Sequence, residues 1–485
     1  MDEGSELSEW SGKRLVILGA ARQGTALARY LARQGARVLI NDQRPTEQLE
    51  PARLALADLD GDVEHPLQWV LGGHPLDILE RADLLCVSGG VPLTLPLIGE
   101  ARRRGVPLTN DSQIFLDAAP CKVIGITGSA GKTTTTTLVG RMAHSAAQMG
   151  YERSGIRRAW VGGNIGVPLI GELAEMSAQD LVVMELSSFQ LELMTRSPQV
   201  AAVLNITPNH LDRHGSMLAY TAAKARILDY QTAADVAVLG RDDPSAWNLV
   251  ERVKGRLVSF SRNQPEPDAG EGSLSVAYEQ GGQLYYQEGE FRTRLMPRSA
   301  VGLRGEHNLL NVLAAGAIAR AVEMPPEAIL ASVEGFTGVA HRLEFVRTWN
   351  GADWYNDSIA TAPERTIAAI RSFDEPLVLL VGGRDKDLPW EALINLACQR
   401  VEYLVVFGEA AEKIMRVFAA AQSRLGTGCR SKVLRLTGLI QAVAAASQVI
   451  RPGDIVLLSP GGTSFDEFID FEERGECFRQ LVMQL

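Results

Sequence analysis

The sequence predicts an α/β protein built from tandem parallel-sheet units, and three observations carry that reading. Short apolar runs recur along the chain, each closing on glycine or a polar residue. Helix-like stretches separate them, which is the rhythm of strands joined by crossover helices. The chain also has 485 residues, too many for one core, so about three domains are expected.

In the first unit, residues 14–18 read as a strand, followed by a loop from Gly19 to Gly24 and a helix to Gln34. Gly35 stops that helix. A second strand covers 36–40 and ends at Asn41-Asp42, and a third covers 84–88 before Gly89-Gly90-Val91-Pro92. A second unit begins at Cys121, with a strand over 122–126, a glycine loop and a helix starting near Lys132. Further strands are expected at 181–185 and 200–205. Between 268 and 298 the alternation suggests an antiparallel hairpin, and an alanine-rich helix runs from His307 to about Val322. From Val339 a third unit places strands at 354–356, 377–381, 403–407 and 455–458.

Composition narrows the function classes. Hydrophobic residues make up 46% and charged residues 22%, which fits a globular chain rather than a disordered one. The formal net charge of −10 argues against a general attraction to nucleic acid or anionic membrane, so a polyanionic ligand must be met by local donors. The five cysteines form no CxxC pair, so neither a disulfide framework nor a structural zinc site is expected, and Cys86 reads as a core thiol. Met1 to Trp10 is acidic and polar, unlike a secretory signal, and no segment approaches the ~20 apolar residues of a membrane helix. A cytoplasmic chain without membrane insertion is the expectation, and a monomer is the default.

The strongest chemical signal is Ile126-Thr127-Gly128-Ser129-Ala130-Gly131-Lys132-Thr133. A strand feeding a loop of small residues lets backbone N–H groups converge on phosphate oxygens at a helix N-terminus. In that setting Lys132 would reach the β/γ-phosphates and the Thr133 hydroxyl would ligate Mg²⁺. The eight-residue phosphate-loop pattern is not strictly met, because its first glycine should stand at Ile126.

Four polar clusters follow. Glu185 closes a strand, where a carboxylate faces the ligand crevice of an open sheet. Residues 205–214 gather His210 and His214 just past another strand. Lys224 lies on an expected helix and, taken alone, reads as a solvated surface lysine. Asn308 and Asn311 sit one helical turn apart and can present amides to one ligand. In the first unit, Ala21 stands where a dinucleotide fingerprint wants its second glycine, so NAD binding is a weak reading.

Together these clusters resemble the Mur ligase family along nearly the whole chain and in its order. The matching pieces are ITGSAGKT at 126–133, GGNIG at 162–166, ELSSFQ at 185–190, NITPNHLDRH at 205–214, YTAAKARI at 220–227, GEHNLLN at 305–311 and AHRLE at 340–344. NDSIAT at 356–361, VGGRDK at 381–386 and LSPGGTSFDEF at 458–468 are similar to the glutamate-adding branch.

The resemblance implies three domains: a Rossmann-like N-terminal domain over 1–118, a P-loop-type central ATPase domain over 119–338 and a Rossmann-like C-terminal domain over 339–485. It implies ATP, two Mg²⁺ ions, and glutamate added to UDP-N-acetylmuramoyl-L-alanine through an acyl phosphate in peptidoglycan precursor synthesis. ATP would be held by Gly128, Ser129, Ala130, Gly131, Lys132, Thr133, Thr134, Asn308, Asn311, Arg342 and Asp357. Metal would be held by Thr133, Glu185, His210 and Lys224, the last as an N-carbamate; Lys132, Glu185, His210 and Lys224 form the implied catalytic set.

The UDP substrate falls to Gly19, Arg22, Gln23, Gly24, Asp42, Ser88, Gly89 and Asn164, and the incoming amino acid to Thr361, Lys386, Ser464 and Phe471. Three departures stand out. Ala130 replaces a commoner Asn, Gly461-Gly462-Thr463 replaces a commoner Ala-Cys-Ala, and Ile359 replaces a Lys. The last removes a cation beside the amino-acid site, so the branch adding L-glutamate stays open beside D-glutamate. A regulatory phosphate-loop ATPase is the alternative from another class.

Overall fold

The computed structural model describes residues 8–59, 67–264, 275–303, 305–386 and 388–485. Residues 1–7 of the acidic N-terminus and 268–274 of the expected hairpin lie outside them. The chain folds as two compact units, Met1–Val301 with Glu306–Gly335, and Gly302–Gly305 with Phe336–Leu485.

The first unit carries two sheets. Strands β1 (Arg14–Leu18), β2 (Arg37–Asp42), β3 (Gln68–Leu71), β4 (Leu84–Val87) and β5 (Leu108–Thr109) form a parallel sheet in the order β3-β2-β1-β4-β5. The chain moves outward from β1 through β2 to β3, then returns to the other side of β1 for β4. The loops after β1 and β4 therefore flank a topological switch point, where open sheets of this kind bind ligands.

The second sheet is built on β6 (Lys122–Thr127), β7 (Ala159–Gly163), β8 (Leu181–Glu185), β9 (Val200–Val203), β10 (Val236–Gly240) and β11 (Arg256–Asn263). It continues through β12 (Ser275–Gln280), β13 (Gln283–Glu288) and β14 (Phe291–Pro297), in the order β14-β13-β12-β11-β10-β9-β6-β8-β7. The antiparallel texture expected before residue 298 corresponds to β12–β14. Gly281 and Gly282 close the β12–β13 hairpin at φ 60° and 76°, the left-handed pair that a tight two-residue turn requires. Strands β7, β10 and β11 were not expected from the sequence; β7, Ala-Trp-Val-Gly-Gly, ends on two glycines that read as turn.

Ile17 and Phe115 from the first sheet region and Val123, Leu169 and Val182 from the second belong to one continuous buried cluster. Cys86 is buried in it, as expected. Among the described residues no helix is long and apolar enough to cross a membrane.

The second unit holds β15 (Glu344–Trp349), β16 (Ala352–Asn356), β17 (Leu377–Gly382), β18 (Val401–Phe407), β19 (Lys432–Arg435) and β20 (Ile455–Gly461), in the order β15-β16-β20-β17-β18-β19. Only β15 runs antiparallel to its neighbour. Strand β17 is buried on both faces: Leu377, Leu379 and Val381 enter one core, Val378 and Leu380 the other. That explains why it reads as an unbroken apolar run rather than an alternation.

Candidate active site

Strand order gathers the chemistry of the second sheet. Strands β9, β6, β8 and β7 are neighbours, so their carboxyl ends bring Asn205, the glycine loop, Glu185 and Asn164 to one edge. The loop opens the helix Lys132–Gln148, with Gly131 at its N-cap and φ +81°. A Cβ on Gly131 would lie within van der Waals overlap of the Asn311 side chain. Left-handed backbone and close approach thus both demand glycine there. Asn311 in turn donates to Asn308 Oδ1 at 3.1 Å, so this pair of amides backs the loop.

The loop is braced from β9. Ser129 N donates to Asn205 O (2.9 Å), and Ala130 N donates to Asn205 Oδ1 (2.8 Å). The Ser129 hydroxyl donates to Thr207 O at 2.9 Å and meets Tyr220 at 3.0 Å. These bonds occupy the first part of the loop. The N–H groups at the start of the following helix have no intrahelical acceptor, which makes Gly131, Lys132 and Thr133 the anion-facing part.

Two lysines converge on one carbonyl oxygen. Lys132 Nζ and Lys224 Nζ each donate to Gly128 O at 2.8 Å, and Lys224 also reaches Thr127 Oγ1 at 3.4 Å. Lys224 lies on the helix Met217–Asp229 and is 1% exposed, which overturns its reading as a solvated surface lysine. An ammonium buried without full compensation sheds its proton. Burial, reinforced by the Lys132 charge and opposed by Glu185, brings the Lys224 pKa down to about 6.

Glu185 is 1% exposed and accepts from Asn164 Nδ2 through Oε1 at 2.8 Å, while its buried Oε2 has no hydrogen-bond partner. Such an atom is costly unless a cation faces it. A hard oxygen donor here and the Thr133 hydroxyl at the helix start are the ligand type Mg²⁺ takes, with phosphate oxygens completing the shell. Among the described residues no three His, Cys, Asp or Glu side chains cluster closely enough to hold a metal alone. His210 is exposed, at φ 52°, and meets Phe189 edge-on at 5.2 Å. Its neighbour His214 is the buried one, stacked on Phe189 and 3.0 Å from Ser188 Oγ.

The loop after β1 is organised differently. Asp42, closing β2, accepts from Ala20 N (2.8 Å) and from Arg44. Burial alone would raise its pKa, but the Arg44 hydrogen bond and the backbone N–H groups outweigh it and hold the carboxyl at about 2. Ser88 Oγ donates to Gly19 O at 3.2 Å, joining the loops after β1 and β4; Gly24 packs on Gly19 and Gly89 lies beside Gln190. Gln23 Nε2 donates to Gly163 O at 2.6 Å, tying this loop to the one bearing Asn164. Arg22 is exposed, and with Arg44, Leu49 and Leu173 it lines a cavity of about 870 Å³.

Gln190, within the expected ELSSFQ segment, has a role the sequence did not reveal. It donates to Ser112 Oγ (2.8 Å), and its carbonyl accepts from Asn110 Nδ2 (2.7 Å).

In the second unit, adjacent carboxyl ends of β16, β20 and β17 assemble another polar edge. Asp357 is buried, accepting from Ser459 Oγ at 2.8 Å and Leu343 N at 3.2 Å; burial still pushes its pKa up to about 7. Arg342 and Arg365 face it electrostatically. Thr361 is half-buried on the same segment, with its N–H bonded to Ile359 O at 2.9 Å. Arg384 and Thr463 exchange backbone bonds of 2.8 and 2.9 Å, which joins the loop of exposed Lys386 to that of buried Ser464.

Arg365 and Arg474 were missed. Arg365 is exposed and donates to Ile359 O at 3.3 Å; partial burial, reinforced by the Arg365 charge, lowers the Lys386 pKa. Arg474, 1% exposed, donates to Ser358 and Gly462, while the Ser358 hydroxyl donates to Phe471 O at 2.8 Å. Neither arginine stands in a motif, and each follows a glutamate, as a solvated charge pair would.

A glycine loop on a helix N-terminus, two convergent lysines and an orphaned carboxylate oxygen define an α/β enzyme that handles nucleotide phosphates. Residues 13–110 match the N-terminal domain of the MurD-like Mur ligases, 126–319 the Mur ligase middle domain and 341–462 the Mur ligase glutamate ligase domain. The chain belongs to the Mur ligase family, whose members are ATP-dependent ligases.

It is 38% identical to the UDP-N-acetylmuramoylalanine–D-glutamate ligase of Symbiobacterium thermophilum over 98% of both chains. It is 37% identical to the enzyme of that name from Acetivibrio thermocellus, over 97% of this chain and 96% of the relative. Among solved structures, UDP-N-acetylmuramate-alanine ligase from Thermotoga maritima superposes with a TM-score of 0.54 at 18% identity, covering 97% of this chain and 99% of that one. MurF from Acinetobacter baumannii gives 0.52 at 18% identity over 99% and 93%. At these identities the structures speak for the fold alone.

Proposed function

We propose that this enzyme joins D-glutamate to UDP-N-acetylmuramoyl-L-alanine at the expense of ATP, as the names of its relatives say of them. The observation that carries the site assignment is the convergence of Lys132 and Lys224 on Gly128 O beside Glu185. Residues 1–118 would bind the UDP end through Gly19, Arg22, Gln23, Gly24, Asp42, Ser88, Gly89 and Asn164. Residues 119–338 would bind ATP on Gly128 to Thr134 with Asn308 and Asn311. Residues 339–485 would supply Arg342 and Asp357 toward ATP, and Thr361, Lys386, Ser464 and Phe471 toward glutamate.

A carboxylate is a poor acyl donor, so the alanyl carboxylate first attacks the γ-phosphate, releasing ADP and forming an acyl phosphate; the glutamate amine then attacks the acyl carbon and inorganic phosphate leaves. The first step brings two anions together. At ~4 Å and an effective dielectric near 20, each unit-charge repulsion costs about 4 kcal/mol. Lys132, freed from Gly128 O by the nucleotide, neutralises part of that charge, and the helix N–H groups hold the phosphates in line.

Thr133, Glu185, His210 and Lys224 would hold Mg²⁺, two ions in the full site, which when bound neutralises phosphate charge. Lys224 serves this role as an N-carbamate. The depressed pKa supports that reading, because only a neutral amine attacks carbon dioxide. Arg365 would supply the amino-acid site with a cation where Ile359 has none.

Ile359 is the one feature favouring L-glutamate instead. Incubation with ATP, Mg²⁺, the UDP-sugar-alanine and each glutamate isomer separately tests both readings by product mass and phosphate release. Product from D-glutamate supports the proposal, product from L-glutamate alone supports the second reading, and product from neither refutes both.

A further inference from the structure

Two cysteines 31 positions apart in sequence meet in the second unit. Cys398 lies near the end of the helix Glu391–Arg400 and is fully buried. Cys429 follows the short helical turn Gly426–Gly428 just ahead of β19 and is half-buried. Their sulfurs stand 2.6 Å apart, both as free thiols.

The flanking chain is pinned on both sides. Arg430 N donates to Cys398 O at 2.8 Å, and Ser431 Oγ donates to Ala397 O at 2.7 Å and Val401 O at 2.5 Å. These bonds hold the two sulfur-bearing segments side by side, the proximity a disulfide requires. The other cysteines, Cys86, Cys121 and Cys477, have no sulfur contact of this kind among the described residues.

We propose that Cys398 and Cys429 are a reversible dithiol–disulfide pair, oxidised by peroxide, that staples the helix Glu391–Arg400 to the segment entering β19. The half-exposed Cys429 attacks the peroxide; the O–O bond breaks and leaves a sulfenic acid and one water. Cys398 then attacks that sulfur, the S–O bond breaks, and the hydroxyl leaves with the Cys398 proton as a second water. Two thiols and one hydrogen peroxide thus give one disulfide and two waters. Burial shields Cys398 from oxidant, so the half-exposed Cys429 is the one that meets peroxide.

The test treats the full-length enzyme with hydrogen peroxide, blocks remaining thiols with iodoacetamide and maps peptides by mass spectrometry without reduction. A 398–429 cross-linked peptide is expected, lost on dithiothreitol treatment, together with a reversible rise in Tm on the order of 5 °C from loop closure. C398S is expected to leave Cys429 as a sulfinic or sulfonic acid, since no partner remains to resolve it. Recovery of both residues alkylated, both over-oxidised, or linked to other cysteines in the wild-type enzyme would overturn the proposal, without reliance on any variant.

Discussion

The two glycine loops of the first unit share a topology and differ in charge. Each follows the first strand of its sheet and opens a helix, Arg22–Arg33 in one case and Lys132–Gln148 in the other. After β1, the first free N–H of the loop, that of Ala20, is taken by the Asp42 carboxylate. After β6, the corresponding brace is the neutral amide of Asn205, and two lysine side chains stand over Gly128. At the first loop Asp42 is paired with Arg44, whereas at the second Lys132 places a cation beside a neutral amide brace. Fold thus supplies two similar ligand edges, and under the proposed function a handful of side chains would decide which one handles ATP.

The largest effect that would break this contrast is removal of the cation. Lys132→Ala is expected to lower ATP-dependent phosphate release by roughly 10²–10³-fold in a coupled assay, as loss of one preorganised charge-stabilising donor does. Near-normal turnover would remove the loop from the chemistry.

Next comes Lys224→Ala, expected to cost roughly 100-fold in kcat and to be partly restored by added acetate or formate. The unmodified lysine also leaves a thermodynamic mark. Its folded pKa of about 6 lies below the ordinary 10.5, so the unfolded chain binds more protons between those values. Stability in CO₂-free buffer should therefore rise with pH across that window. Denaturant unfolding of wild type and Lys224→Met should show the slope in the first and not in the second.

Gly131→Ala sharpens the geometric half of the comparison. A methyl group there meets Asn311 and forces φ +81° on a residue with a Cβ, so a loss of ~1–3 kcal/mol is expected, with the KM for ATP raised about tenfold. Unchanged KM alongside lowered stability would separate packing from binding.

The smallest effect belongs to the other loop. Asp42→Asn should lower Tm by about 2–4 °C at neutral pH. Because the folded pKa of about 2 lies below the ordinary 3.8, the stabilisation is present above that value and lost as pH falls toward 2. The gap between wild type and variant should close over that acid range.

Most of this contrast is legible in the sequence. The strands at 14–18, 122–126 and 181–185 read as short, mostly apolar runs, the first two leading into glycine loops and the third ending on Glu185. Gly131, Lys132 and Thr133 are contiguous, so their joint function survives translation from chain to space. The strands β7, β10 and β11 were less visible, because glycine ends or mixed polarity blur their pattern.

What the chain determined alone is the set of local pieces: a phosphate-binding loop on a strand–helix junction, and polar residues placed at strand ends. These depend on neighbours within a few residues. Burial does not. The Lys224 pKa falls to about 6 because its helix buries the side chain, where it meets Gly128 O, 96 positions away. Arg365, Arg474 and the Cys398–Cys429 contact are likewise decided by which strand edges and helix ends the sheet order brings together. Desolvation and long-range contact are properties of the packed molecule, and they set which of its charges remain charges.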